Sequence, residues 1–459
     1  MAWTSAITIE RYRNEIVNGP IVKTLLWLGF PLMIVQLVNV SYNVADAFWL
    51  SKYSDVAMAV PRQAWPPFTF FNAFNMALST ANMALLSQYI GARRYGGASD
   101  VASRFFTVTA ITSLMFGITY FMLRYYLFTY VIRTPPEIFD EVMSYSGIIF
   151  MDLILSGFSI TYSTILQSVG DTRTPAVVGG ISALINIVWD PFLILGMPPF
   201  PMMGATGAAI ATVLSRLVGV ATLIYLTKRK FPDLRIAFTS NIDRYWISRN
   251  LRIGGPVYVF HASNSVAFML QNALINSFGV IATAAAAIGF IVMDIADAVM
   301  WGLTMPTAIM IGQNLGAGNI GRSRKIAYRA TLSVGLLTAA GAFAVFTVRR
   351  ELIQVFTVDP LIFREAMLFL ETFIFSLPFF TMFFVGMSVG RGSGHTTVPT
   401  VIGMVRLWGV RIGLGYLLSY VMGLQSYGIW LAMALSNIIS GLGSVAWVKY
   451  GNWAKPVIR

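Results

Sequence analysis

Stretches of about twenty apolar residues recur along the whole of this 459-residue chain, and no other feature constrains its fold as strongly. A helix rises about 1.5 Å per residue, so about 20 residues cross the roughly 30 Å hydrocarbon core of a bilayer. Segments 181–195, 205–226, 331–348 and 401–421 have this character. Twelve spans are expected, at 24–50, 58–88, 105–127, 142–168, 175–196, 204–227, 254–278, 283–313, 326–348, 366–390, 398–420 and 427–448. Charged residues make up 11% of the chain, against about 25% in a soluble domain, and a water-soluble fold could not hide the apolar remainder. The fold class expected is therefore an all-α polytopic membrane protein. The first residues lack the apolar run and small-residue cleavage site of a secretory signal, so no removable segment is expected. Cysteine is absent, which excludes disulfides and thiolate metal sites.

The net charge of +13 raises the question of nucleic acid, and its placement answers it. With the loops and the span ends beside them assigned alternately to two sides, the side holding both termini collects 22 of the 32 Lys and Arg residues and the other side 7. Such a bias orients helices during insertion, with the basic side in the cytoplasm. Both termini are thus expected in the cytoplasm, the chain in the cell membrane among lipid, and no nucleic-acid partner. The three remaining cations, Arg216, Arg406 and Arg411, fall inside expected spans.

The sequence also repeats itself. Gly29 and Pro31 realign with Gly254 and Pro256 at a shift of 225, and Gln88, Gly91, Ala92, Ala102 and Arg104 with Gln313, Gly316, Ala317, Ala327 and Arg329. Gly170, Thr172 and Pro175 fall on Gly394, Thr396 and Pro399 at 224, and Gly207, Ala211, Leu214 and Ser215 on Gly428, Ala432, Leu435 and Ser436 at 221. A nearly constant shift that includes Pro, Gln and Arg indicates duplication. Six spans return the chain to its starting side, so the copies should be related by a pseudo-two-fold along the membrane normal. The organisation expected is an N-lobe at 1–227, a basic cytoplasmic linker at 228–253 and a C-lobe at 254–459. Two similar lobes around a cleft suit alternating access.

Charged groups within the spans are costly, with Asp estimated at about 2.5 kcal/mol and upward at the bilayer centre. Five acids qualify: Asp46, Asp152, Asp190, Asp294 and Asp297. Asp46 ends the first span, which Pro31 equips to bend. Asn186 and Asp190 stand four apart on one face of the fifth span, with Pro191 opening the backbone beside the acid, and Thr212 is offered by the sixth. Together these make either an all-oxygen nest for sodium or a carboxyl pair able to hold one proton, and spacing does not distinguish the two. The competing reading of Asp46 and Asp190 is a structural pairing with Arg216 or a hydroxyl. Asn186 and Thr212 equally suit bonds between helices. Asp294 and Asp297 lie three apart in the eighth span and suit either a cleft lining or ion pairs with Arg406 or Arg411; Asp152 is left without a role. The 33 Phe and 23 Met residues suit lipid contact or an adaptable wall around cargo.

The segments YNVADAFW at 42–49, Gly91–Ala92, GDTRTP at 170–175, NIVWDP at 186–191 and GAAIAT at 207–212 resemble the multidrug and toxic compound extrusion (MATE) family, in its DinF-like prokaryotic branch. The resemblance covers essentially the whole chain. It implies an antiporter driven by H+ or Na+ that exports amphipathic, often cationic, organic compounds. It also implies that Asp46, Asn186, Asp190 and Thr212 form the N-lobe cation site and that Pro31 is the helix-bending proline. Another branch of the family carries acids in spans seven and ten; this chain has Gln271 and Asn272 in the former, residues that could line the cleft, and no acid deep in the latter.

Two other classes were weighed. A flippase for lipid-linked saccharides of the same superfamily would call for a strongly basic cleft, yet five intramembrane acids face three arginines. An enzyme would need a convergent nucleophile, base or metal cluster, and the histidines, His261 and His395, are far apart in sequence. No Walker loop is present, so no nucleotide, cofactor or bound metal beyond a coupling Na+ is expected.

Overall fold

The computed structural model describes residues 2–54, 57 and 59–458, and among them the regular structure is entirely helical. Twelve helical spans follow a short helix α1 (Ala2–Asn18). They are α2 (Ile21–Tyr53), α3 (Ala59–Gly91), α4 (Tyr95–Tyr126), α5 (Pro136–Val169), α6 (Arg173–Ile194), α7 (Gly204–Lys230), α8 (Arg244–Asn276), α9 (Val280–Gly316) and α10 (Ile320–Thr347), then three more, the first two of them composite. After the six-residue α11 (Arg349–Gln354), α12 (Pro360–Phe373) and α13 (Leu377–Ser393) join through one 3₁₀ turn into a single span. The next begins as α14 (Thr397–Met404) and continues through wider π-type windings at Val405–Leu414 and Leu417–Val421; α15 (Gln425–Tyr450) is last. Ten helices are long and apolar enough to cross a bilayer on composition alone. The other two, α3 and α8, carry Asn72, Asn75 and Asn82, and Asn250, Gln271 and Asn272, which lower their hydropathy.

All twelve expected spans overlap these helices. The largest differences are at α4 and α8, each beginning ten residues before the expected 105 and 254. Apolar windows locate the part of a helix inside hydrocarbon, whereas the polar turns of α4 and α8 extend beyond it. The short helices α1 and α11 escaped the same windows.

The chain forms two compact units, one of residues 1–15 with 34–258 and one of 16–33 with 259–459. These units divide α2 and α8 part-way along, so residues 16–33 and 228–258 group differently from the boundaries read from sequence. Side-chain bonds account for it. In the second unit, Asn314 donates to the Ile16 carbonyl at 3.3 Å and Arg322 to that of Gly19. In the first, Asn82 of α3 donates to Asn250 Oδ1 at 2.8 Å and accepts from Trp246 Nε1 at 3.2 Å, which anchors the start of α8. The stretch between α7 and α8 lies along α4, where Ser99 and Ser103 donate to the carbonyls of Asp233 and Arg235 and Thr107 accepts from the Thr239 N–H.

Each unit is built around its fourth span. In the first, α5 packs on α3, α4 and α7; in the second, α13 packs on α9, α10 and α15. Tyr120, Phe128, Tyr145 and Leu153 lie in the core of the first, and Phe369, Phe373, Phe383 and Trp430 in that of the second. The repeated glycines serve the same end. A Cβ on Gly207 would fall onto the Leu193 carbonyl, and one on Gly428 would lie 2.7 Å from Ser419 N and Oγ. Helix α1 is held by Glu10, which accepts from Arg93 Nη2 at 2.6 Å and Tyr95 Oη at 2.6 Å.

Two outcomes follow from this packing. Gly207→Val and Gly428→Val should each lower the unfolding midpoint of the purified protein, at about 1–3 kcal/mol of overpacking apiece. Burial pushes the Glu10 carboxyl up, but the bonds from Arg93 and Tyr95 and the charges of Arg13 and Arg93 outweigh it and hold it below its ordinary 4.5. Its contribution is therefore complete above pH 4.5 and is lost as pH falls through the lowered value, so amide exchange in α1 should accelerate on acidification below that point, and less so in Glu10→Gln.

Candidate cation site

The first unit gathers the four expected cation-site residues from three helices. On α6, Asn186 and Asp190 sit one turn apart, 2% and 0% exposed, and Pro191 withholds the N–H that would otherwise bond the Ile187 carbonyl. On α7, Gly207 lets the helix approach the end of α6 and so brings Thr212 against Asn186. With the Asn186 amide oriented to satisfy both neighbours, its N–H donates to Asp190 Oδ2 at 3.1 Å and its oxygen accepts from the Thr212 backbone N–H at 3.0 Å. On α2, Tyr42 and Asp46 share a face four residues apart, and the Tyr42 hydroxyl lies 3.2 Å from Thr212 Oγ1.

Asp46 and Asp190 stand within Coulombic reach of each other. Each keeps one buried oxygen, Oδ1, without a hydrogen-bond partner among the described residues. Native proteins rarely leave such an acceptor alone, and a carboxylate least of all.

Arg216 does not neutralise either acid. Its Nε donates to Asp152 Oδ1 at 2.8 Å and its Nη2 to Oδ2 at 3.4 Å. Asp152, which had no role by sequence, is 4% exposed in its side chain and is the partner that occupies this arginine. Two cavities border the group. One of about 210 Å³ is lined by Asn186, Thr212, Ser182 and Ser215 among others. The other, of about 440 Å³, places Asp46 and Asp152 opposite Trp65, Phe68, Met76 and Tyr145. Tyr42, Thr212 and Arg216 line both. Tyr42 is the residue that sequence reading missed, and its only signal was that it precedes Asp46 by one helical turn. Asp152 and Arg216 were marked there as charges inside the spans, and what the sequence left open is that they pair with each other.

The remaining candidates lie in the second unit. Pro31 is inside α2 in the segment that belongs there. Asp294 and Asn272 are exposed, Asp297 is half-buried and Gln271 is buried. Asp297 makes no ion pair with Arg406 or Arg411 within 4.0 Å, and its Oδ1 has no partner. No cluster of three or more His, Cys, Asp or Glu suited to a metal ion occurs among the described residues.

A duplicated bundle of spanning helices with carboxylates facing internal cavities defines a polytopic membrane transporter. The comparison with known proteins is more specific: the MatE family pattern matches residues 31–192 and again 256–417, two stretches offset by the 225 residues of the internal repeat. The chain belongs to the MatE family of multidrug efflux transporters, which are not enzymes, and its cargo is a small organic compound. Relatives include a probable multidrug resistance protein NorM of Thermotoga maritima, 27% identical over 95% of this chain and 94% of its own. An FAD transporter of Shewanella oneidensis is 25% identical over 94% and 95%. A Vibrio cholerae MATE transporter, VcmN in the bent form, shares the fold with a TM-score of 0.86 at 20% identity, over 97% of this chain and 100% of its own. The family match does not favour the flippase reading.

The Asp152–Arg216 pair yields an expected outcome of its own. Arg216→Gln leaves Asp152 buried and unpaired, at a cost below the roughly 3–5 kcal/mol of a fully buried pair because the arginine is partly exposed. The midpoint of unfolding should fall in Arg216→Gln and recover partly in Arg216→Gln with Asp152→Asn.

Proposed function

We propose that this chain is a cation-coupled antiporter of the cell membrane that exports amphipathic, often cationic, organic compounds by alternating access, with H+ or Na+ as the coupling ion. One observation carries the reading. Asp46 and Asp190 each hold a buried oxygen without a partner, while the intramembrane arginine of the same unit is engaged by Asp152. Two neighbouring carboxylates with no fixed counter-charge suit a mobile cation: a proton held between them, or a sodium ion held by Asp46, Asp190, Asn186 and Thr212. The aromatic and Met-bearing wall of the larger cavity, facing Asp46 and Asp152, suits an amphipathic cation. The names of relatives concerned with multidrug resistance support export. The excess of Lys and Arg on one side supports cytoplasmic termini and surrounding lipid, and the repeat supports lobes at 1–227 and 254–459 joined by the linker 228–253. In this mechanism the cation enters at Asp46 and Asp190, α2 bends near Pro31, and cargo leaves on the outer face. Asp294, Asp297, Gln271 and Asn272 remain possible contacts for cargo along the route.

The reading is tested by efflux of ethidium from proteoliposomes, with a proton gradient and a sodium gradient imposed separately. One gradient should drive transport, and Asp46→Asn and Asp190→Asn should each reduce the rate at least about tenfold, the effect of losing roughly 1.4 kcal/mol of coupling. Undiminished transport in both variants would overturn it.

A further inference from the structure

The second unit contains a buried cluster of opposite sign. Arg406 and Arg411 lie on the π-type winding Val405–Leu414. In an α-helix, residues five apart point about 140° away from each other. A winding bonded from each residue to the fifth beyond stacks them instead, so the two guanidiniums meet on one face. Both donate to Asn437 Oδ1, Arg406 Nη1 at 3.4 Å and Arg411 Nη2 at 3.3 Å. Arg411 also donates to Ser436 Oγ at 3.3 Å and Gln271 Oε1 at 3.4 Å, and Arg406 sits over the Phe380 ring at 4.7 Å.

No contact ion pair balances the charge there among the described residues. Arg406 and Arg411 are 4% and 1% exposed, and neither forms an ion pair within 4.0 Å among the described residues. Every acceptor they have is a neutral amide or hydroxyl at the long end of hydrogen-bond range. Arg406 Nε has no partner at all, and neither has Trp408 Nε1 on the same turn. Asp297 feels both arginines electrostatically without touching them. One acid at a distance is a partial counter-charge for two buried guanidiniums; without a direct ion pair they remain costly by several kcal/mol, and an anion between them would reduce that cost.

The position of the cluster adds a second, independent argument. At the shift of 225 that relates Pro31 to Pro256, Asp46 corresponds to Gln271. At the shift of 221 that relates Gly207 to Gly428, Ser215 corresponds to Ser436 and Arg216 to Asn437. The cluster thus includes the duplicated counterparts of Asp46 and Arg216, with the carboxylate replaced by an amide and the arginine by an amide. We infer that the second unit carries a buried site opposite in sign to the cation site, and that it binds a small monovalent anion, a halide or a carboxylate, between Arg406 and Arg411.

The test is binding rather than transport, so it stands apart from the coupling mechanism. The unfolding midpoint of the full-length purified protein is followed at constant ionic strength as sodium isethionate is replaced by sodium chloride or by sodium acetate. A saturable rise of about 2 °C or more in one of them is expected and tells the halide source from the carboxylate source. That rise should vanish in Arg406→Gln with Arg411→Gln and persist in Arg216→Gln, whose arginine lies in the first unit. No rise in either anion overturns the inference, as does an unchanged rise in the double variant. Should the double variant fail to fold, wild-type crystals grown in bromide and in bromoacetate decide: an anomalous peak beside the two guanidiniums in either supports the site, and its absence in both at saturating concentration overturns it.

Discussion

In hydrocarbon no water is available to satisfy a polar group, and the whole structure depends on that constraint. Backbone groups meet it by forming helices throughout, and side-chain hydroxyls meet it locally, as Thr161, Ser168, Ser215 and Thr227 do by donating to the carbonyl one turn back. Among the described residues, Asp46, Asp190, Asp297 and Arg406 are ionisable groups within the spans that keep an unpaired buried atom. In a medium where that is costly, such a group suits a mobile ion that completes the bonding in place of the protein.

The duplication explains how two such places arose in one chain. Both units centre on their fourth span, and both bring the fifth and sixth spans together through a glycine at Gly207 or Gly428. The same scaffold then holds different side chains. In the first unit the paired helices present Asp190, with Asp46 added by α2, and Arg216 is withdrawn to Asp152. In the second they present arginines, with Gln271 and Asn437 as neutral partners. Duplicated backbones with diverged polar residues let one architecture bury side chains of either charge at related places.

Transport also needs elements that can change shape, and prolines inside spanning helices suit that need. Pro31, Pro191, Pro256 and Pro306 each interrupt the bonding inside a spanning helix, and Pro31 and Pro256 correspond under the repeat. The division of α2 and α8 between the two units falls near this pair of prolines. A helix whose halves belong to different compact units is a natural place for bending, because the proline leaves one hydrogen bond fewer to break there.

Much of this was legible in the sequence. Apolar length identified the spans, because crossing a bilayer imposes a minimum number of apolar residues, and the constant shift of Gly, Pro and Gln identified the repeat. The cost of charge in hydrocarbon singled out Asp46 and Asp190, and one-turn spacing joined Asn186 to Asp190. Other features rest on packing between helices far apart in the chain. Sequence left Arg216 free to pair with Asp46, Asp190 or Asp152, and only the approach of α7 to α5 selected Asp152. The meeting of Arg406 with Arg411 was equally hidden, since a spacing of five separates two residues on an α-helix and unites them only where the winding widens. Composition and periodicity decide what must be buried; which buried group meets which is decided by the three-dimensional arrangement of the helices.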